Sequence, residues 1–231
     1  MATAGSSRVA LATEGSATFG SVSDSVLAYA FQYPTSTDSG SPLSLTFSRR
    51  PEKYSSAAPL TADARQRIVC ELVDLARAFT VSVSVGPPSG VLVGKSPSEW
   101  RARDVADAVL IDRSTARITT GQRVALNSIE RVSGEEVDGA TYIYYEHTSQ
   151  GSPNLLSPGA KETYRHAKSV TTVRPGQDGT PYLYTFNITC PEELWEQLEG
   201  AAEQAVRSFR LTPTTRDYCP PDKDPWNFIG I

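Results

Sequence analysis

Period-two alternation dominates the middle of the chain. Over Gly139–Gln150, Tyr142, Tyr144 and Glu146 point one way, while Thr141, Ile143, Tyr145 and His147 point the other. A run this rich in β-branched and aromatic residues predicts a strand. Its aromatic bulk on both faces predicts an interior strand of a sheet that helices cover on at least one side. Alternation also predicts strands over Val26–Tyr33 (ended by Pro34), Leu43–Phe47 and Thr80–Val85 (ended by Gly86-Pro87-Pro88), and a short one starting at Ile118–Thr120. Leu43–Phe47 is expected to pair with the first strand, and Ser128–Val132 to lead through Gly134 and Gly139 into the tyrosine strand as a hairpin. Strands near 141–148, 164–173 and 182–189 are separated by a Ser/Pro/Gly loop and by Asp178-Gly179, and so form a meander.

Three- and four-residue spacing predicts helices elsewhere. Ile68, Val69, Leu72, Leu75, Ala76 and Phe79 make one apolar stripe of a helix capped by Thr61, with Arg65, Arg67, Glu71, Asp74 and Arg77 opposite. Ser96-Pro97-Ser98-Glu99 is a capping box with proline at the first helical position, leading a helix that carries Trp100, Val105, Val109 and Leu110 inward. A last helix runs from Pro191 to Phe209, with Leu194, Leu198, Ala201, Ala205 and Phe209 inward, and with Glu192 and Glu193 favouring the dipole of its first turn. Mixed strands and helices with hairpins in the majority give an α+β class with a largely antiparallel sheet.

Composition alters this picture at the ends and in the loops. Of 231 residues 39% are hydrophobic, and 16 Gly and 16 Pro mark much irregular structure. The length suits one domain over 25–212, preceded by a flexible, Ser/Thr/Ala/Gly-rich segment 1–24 and followed by a Pro-rich tail, 213–231. Ala10-Leu11-Ala12 has the small-x-small form of a signal-peptidase site without a preceding apolar stretch. It reads equally as a processing remnant or as chance in an Ala-rich segment. A net charge of −4 gives a nucleic-acid partner no electrostatic support. No apolar run approaches the roughly 18 residues that cross a bilayer. Arg49, Arg50 and Lys53 read as a solvated basic cluster.

The three cysteines fit neither a zinc ribbon nor a CxxC pair. Cys70 falls in the predicted helix as a small buried hydrophobe. Cys190 and Cys219, in a turn and in the tail, are the candidate disulfide, although spacing alone brings no two Cα atoms together.

Several segments, in order and spacing, resemble the PsbP-domain proteins. Tyr29-Ala30-Phe31-Gln32-Tyr33-Pro34 looks like the family's opening strand, Val81–Pro88 like a later strand, Thr141–Glu146 like its tyrosine strand, and Arg207-Ser208-Phe209 like the end of its last helix. Arg50–Leu60 resembles an insertion found in some PsbP-domain relatives rather than in PsbP proper. The likeness covers about residues 25–212. It implies an αβα sandwich around an antiparallel sheet, a place in the chloroplast thylakoid lumen, and work as an extrinsic or assembly protein of a photosystem. Photosystem II and its oxygen-evolving complex are the first expectation. PsbP proper helps that centre retain calcium and chloride. Here the insertion, the long tail and an N-terminus unlike the PsbP segment that engages photosystem II put a role on another complex on the same footing.

In PsbP a histidine follows the tyrosine strand, and His166 is the matching position. Glu162, four residues earlier, offers a carboxylate to share a cation with it. The plainer reading is a histidine hydrogen-bonded to a neighbour. His147 and Glu146 are adjacent on a strand and therefore face opposite ways. Asp222, Lys223 and Asp224 hold too few oxygens for calcium without a larger cage. Asn187-Ile188-Thr189 has the form of a glycosylation sequon but falls on a strand. Trp226, Phe228 and Ile229 in the tail are the candidate partner-binding anchors. No phosphate loop, nucleophile elbow or HExxH is present. The expectation is a non-catalytic interaction protein. An ion-binding accessory protein, with calcium as the ion, or an enzyme whose constellation is not visible in sequence, are the alternatives.

Overall fold

The computed structural model describes residues 17–49, 66–118, 124–151, 163–177 and 179–221. They build two antiparallel sheets. The smaller has the order β1-β2-β10, with β1 Phe19–Asp24, β2 Tyr29–Pro34 and β10 Arg210–Leu211. The larger comprises β3 (Thr46–Arg49), β4 (Arg67–Asp74), β5 (Phe79–Gly86), β6 (Val124–Val137), β7 (Ala140–Gly151), β8 (Thr163–Pro175) and β9 (Pro181–Pro191). Its order is β3-β4-β5-β9-β8-β7-β6. The tyrosine strand is β7, inside the sheet, and β7-β8-β9 are the expected meander.

Both faces of β7 are buried, against different partners. Tyr142 and Tyr144 join Val170, Tyr184, Phe186 and Ile188 under the small sheet and helix α2 (Glu199–Ser208). There the Phe186 ring lies between Phe31 at 4.6 Å and Phe209 at 5.6 Å. Ile143 and Tyr145 face the other way, with Leu183, onto Leu92, Val105 and Val109 of helix α1 (Ala102–Ile118) and the turn before it. Helical layers thus flank a central antiparallel sheet, an α+β sandwich. Polar residues of that second face bond one another: Ser169 donates to Asn187, and Tyr145, Thr171 and Thr185 share hydrogen bonds.

Several predicted elements change. The segment expected as a helix from Thr61 to Phe79 is, from residue 66 on, strand β4 and a turn, its first residues lying outside the described ones, and Cys70 is therefore a buried strand residue. A bulge explains the misreading. Ile68 pairs with Ser84 and Cys70 with Val83, so Val69 is an extra residue that breaks the alternation and imitates helical spacing. Leu75, expected inward, stands 86% exposed at the hairpin tip. The predicted first strand, Val26–Tyr33, begins only at Tyr29, because the Asp24 carboxylate accepts the Val26 and Leu27 N–H groups and turns the chain there. Residues 19–24, expected to be flexible, consequently pair with β2. Leu43–Phe47 does not pair with that strand. Leu43 donates to Thr35, Ser44 donates to Asp74, and the chain crosses into the large sheet as β3 beside β4. Ser96 and Glu99 do form the capping box, but on a 3-10 turn, Pro97–Glu99, and α1 begins at Ala102. Ile118 ends α1, and the rest of the strand start expected over Ile118–Thr120 lies outside the described residues. The last helix is interrupted at Leu198, with a 3-10 segment Glu192–Gln197 before α2.

Two carboxylates join distant parts of the chain. Asp38 accepts N–H groups of Gly200 at 2.9 Å and Ala201 at 2.7 Å, capping α2 from 162 residues away. Asp38→Ala is expected to lower stability by about 1–2 kcal/mol in urea unfolding, and Asp38→Asn to recover part of it. Buried Asp74 accepts from Ser44 N–H and from Arg77 through both backbone and guanidinium. Burial opposes its charged form, but these hydrogen bonds outweigh it and hold the carboxyl below its ordinary value. A depressed carboxyl stabilises the fold above the unfolded-chain value of about 3.9, and that contribution is lost as pH falls through the lower folded value. The stability advantage of the native chain over Asp74→Asn is therefore expected to be full at neutral pH and to shrink below about pH 4. Urea midpoints across that range measure it.

Candidate functional site

His166 stands on β8 and is buried. Its Nε2 lies 2.7 Å from Glu146 Oε1 and its Nδ1 lies 3.0 Å from Glu192 Oε2. The ring is stacked on Trp195 at 4.0 Å with planes 3° apart. Four elements meet here, and register explains how. His166 is directly opposite Thr148 and Lys168 opposite Glu146, so Glu146 and His166 are diagonal neighbours on one face. A bulge in β6 between Ile129 and Arg131 turns Glu130 toward the same face. There its Oε1 accepts from Thr148 Oγ1 at 2.6 Å and its Oε2 lies 4.0 Å from His166 Nε2. Glu192 and Trp195 arrive on the 3-10 segment that follows β9.

Lys168, also buried, extends the network. Its Nζ lies 3.1 Å from Glu203, 3.4 Å from Glu199 and 4.0 Å from Glu146, and 5.6 Å over the Trp195 ring. Arg207 bridges Glu203 and Glu135. Burial works against the Glu203 charge, but hydrogen bonds from Arg207 and Lys168 hold its carboxyl below the ordinary value.

Glu130, Glu146 and His166 each offer a ligand atom within 4.8 Å of the others. One imidazole nitrogen with two carboxylates suits zinc or a similar transition ion. It does not suit calcium, which takes six to eight oxygens. Lys168 at 4.0 Å and Arg131 at 3.9 Å from Glu146 Oε2 further reduce the site's appeal to a dication that relies on charge alone. Cys190 lies opposite His166 on β9, but burial pushes its thiol up to about 12, so it offers no thiolate at neutral pH.

Of the predicted site residues, His166 is at the centre of the cluster. Its expected companion Glu162 lies outside the described residues, as do Asp222, Lys223, Asp224, Trp226, Phe228 and Ile229. Glu146 and His147 diverge as expected, Glu146 toward His166 and His147 toward the opposite face. Cys190 and Cys219 are free thiols, which corrects the disulfide expectation. The reason is distance along the sheet. Cys190 is cross-strand from His166, whereas Cys219 N–H donates to Val26 beside Tyr218, whose ring packs 5.4 Å from Arg174. Arg174 is eight positions farther along β8, about 25 Å at 3.3 Å per residue, far beyond disulfide reach. Sequence reasoning missed Glu130, Glu146, Glu192 and Lys168 as partners of His166. The diagonal placement of Glu146 was readable only with the β7–β8 register in hand.

Comparison with known proteins resolves the family. The PsbP family profile matches residues 93–211. PsbP domain-containing protein 5, chloroplastic, of Arabidopsis thaliana is 42% identical over 213 residues, which take in 90% of this chain and 69% of that protein. The chain belongs to the PsbP family. Its fold is that of the solution structure of cyanobacterial PsbP (CyanoP) from Synechocystis sp. PCC 6803, with a TM-score of 0.52 over 89% of this chain and 98% of that one. At 16% identity this second likeness speaks for the fold alone. In this PsbP-family chain no described helix is long and apolar enough to cross a membrane.

Proposed function

We propose that this PsbP-family chain is a non-catalytic extrinsic or assembly protein of the chloroplast thylakoid lumen, acting on a photosystem and in the first place on photosystem II. The observation that carries the reading is the 42% identity to a chloroplastic PsbP-domain protein across 90% of the chain. The central cluster supports it. Both nitrogens of His166 face carboxylates and one face of its ring is covered by Trp195, so the ring is tied into the fold on three sides. The protein works peripherally on the membrane, with Trp226, Phe228 and Ile229 as docking anchors. Affinity capture of the tagged chain from solubilised thylakoids, read by mass spectrometry, tests this. Recovery of photosystem II core and extrinsic subunits is expected. Recovery of photosystem I subunits or assembly factors moves the role to biogenesis, and recovery of no photosynthetic complex overturns it. Because Thr212 and Cys219 pack on the domain, the tail's part is tested by removing residues 222–231 only.

A second reading is favoured by the Glu130–Glu146–His166 arrangement: an accessory protein that holds a divalent ion. The donor set predicts calorimetric binding of zinc or manganese that is lost in Glu130→Gln, and little binding of calcium. Silence toward all three ions sinks this reading. Calcium retention at the oxygen-evolving centre would then have to act without a site in this cluster.

A further inference from the structure

Among the described residues both sheets end on open edges, β1 and β10 in the small sheet, β3 and β6 in the large. An open edge presents unpaired N–H and C=O groups, and natural proteins blunt it with charge, proline, bulges or brevity. β6 carries Glu130, Arg131, Glu135 and Glu136, shifts register twice, and lends its Ile129 carbonyl to Arg103. β3 has four residues and a bulge, and β10 has two residues. β1 has none of these protections. Its six residues, FGSVSD, pair with β2 without a break. Its one charged residue, Asp24, is buried and turned to the Val26 and Leu27 amides, while Ser21 and Ser23 are exposed.

The pairing pattern shows which groups are open. Thr212 N–H donates to Ala28, and Gln32 N–H donates to Ser208, so even-numbered residues of β2 face β10. The odd-numbered ones face β1, and their partners there are Gly20, Val22 and Asp24. Phe19, Ser21 and Ser23 therefore direct their N–H and C=O groups to the open side, where they meet no partner among the described residues.

We propose that β1 pairs antiparallel with β1 of a second copy of this chain, about a two-fold axis through Ser21. Only residues of outward parity form hydrogen-bonded pairs. Centring on Ser21 sets Ser21 against itself and Phe19 against Ser23, so all three open residues of each copy are matched and the two small sheets become one. The contact is isologous and closes at two copies. Although the chain carries −4, this edge brings no exposed charge against its own image. It equally offers no charge that would select an acidic or basic strand of another protein.

The test is sedimentation of the whole chain at micromolar concentration, with two variants. The native chain is expected at twice its 25.0 kDa mass. Ser21→Pro removes an outward N–H without touching the β1–β2 ladder and is expected to sediment as a monomer with unchanged circular dichroism. Should it lose its fold, Ser23→Lys serves the same purpose by charging the edge. Ser21→Cys, in a Cys219→Ser background, is expected to cross-link under mild oxidation, since self-opposed residues lie about 5.5 Å apart. Ser23→Cys, opposite Phe19, is not. A native chain that is monomeric throughout overturns the proposal. So does a dimer that survives Ser21→Pro and Ser23→Lys and does not cross-link through Ser21→Cys.

Discussion

Replacing His166 with alanine is expected to lower the unfolding free energy by about 2–4 kcal/mol, the cost of leaving a buried acceptor without its short hydrogen bond and an indole without its stacked ring. The ring holds the buried Glu146 carboxylate at 2.7 Å, whereas Arg131 and Lys168 stand at 3.9 and 4.0 Å from it. Without the ring, Glu146 keeps its desolvation and loses its short hydrogen bond. Trp195 loses its stacking partner, and Glu192 no longer ties the 3-10 segment to the sheet. Urea unfolding at neutral pH, followed by circular dichroism and tryptophan fluorescence, measures the loss. The mechanism makes a sharper demand on the double variant. Glu146→Gln removes the charge that His166→Ala strands, so the pair of substitutions should cost clearly less than the sum of the single ones. Additive losses would mean that the ring acts by packing on Trp195 and that Glu146 is satisfied elsewhere.

Arg174→Ala is expected to cost about 2–4 kcal/mol, since hydrogen bonds to a charged donor contribute roughly 1.5–3 kcal/mol and do not add fully. Arg174 donates to the carbonyls of Leu27, Ala28 and Thr212 at 3.3, 3.1 and 2.6 Å, and packs between the Tyr184 and Tyr218 rings. One guanidinium thus joins the β1–β2 turn, the segment after β10 and the end of the meander. Arg174→Lys should recover little, because an ammonium cannot fork to three carbonyls while stacked on two rings. Hydrogen exchange separates the two variants. Arg174→Ala should expose the amides of Thr212 and Cys219 first, whereas His166→Ala should leave them protected and act at the opposite end of β8.

The two ends of the molecule were unequally legible. The β7 alternation, the meander and the residues that α1 turns inward follow from side-chain period alone, and the structure has each where the period puts it. Where the chain bulges, period misleads. One extra residue at Val69 makes β4 look helical, and one at Glu130 hides a carboxylate from any reading that assumes strict alternation. The turn at Asp24 was missed because it depends on a side chain capturing two amides, an event that leaves the apolar pattern of Val26–Tyr33 intact.

By itself the sequence determined the α+β class, the central strand with two buried faces, the family, and His166 as the residue to watch. The class and the central strand rest on local period, and the family and His166 on a resemblance carried by segments in order, none of which needs knowledge of what lies across the sheet. Only the tertiary structure decided what His166 does. Glu146, Glu130 and Glu192 are 20, 36 and 26 residues from it along the chain, and register, a bulge and a 3-10 turn bring them to one ring. The same holds for the free thiols of Cys190 and Cys219 and for the open edge of β1. Which groups are near, bonded or unpaired depends on the exact register of strand pairing across the fold, and a bulge or a strand that changes sheet resets that register without changing the local pattern.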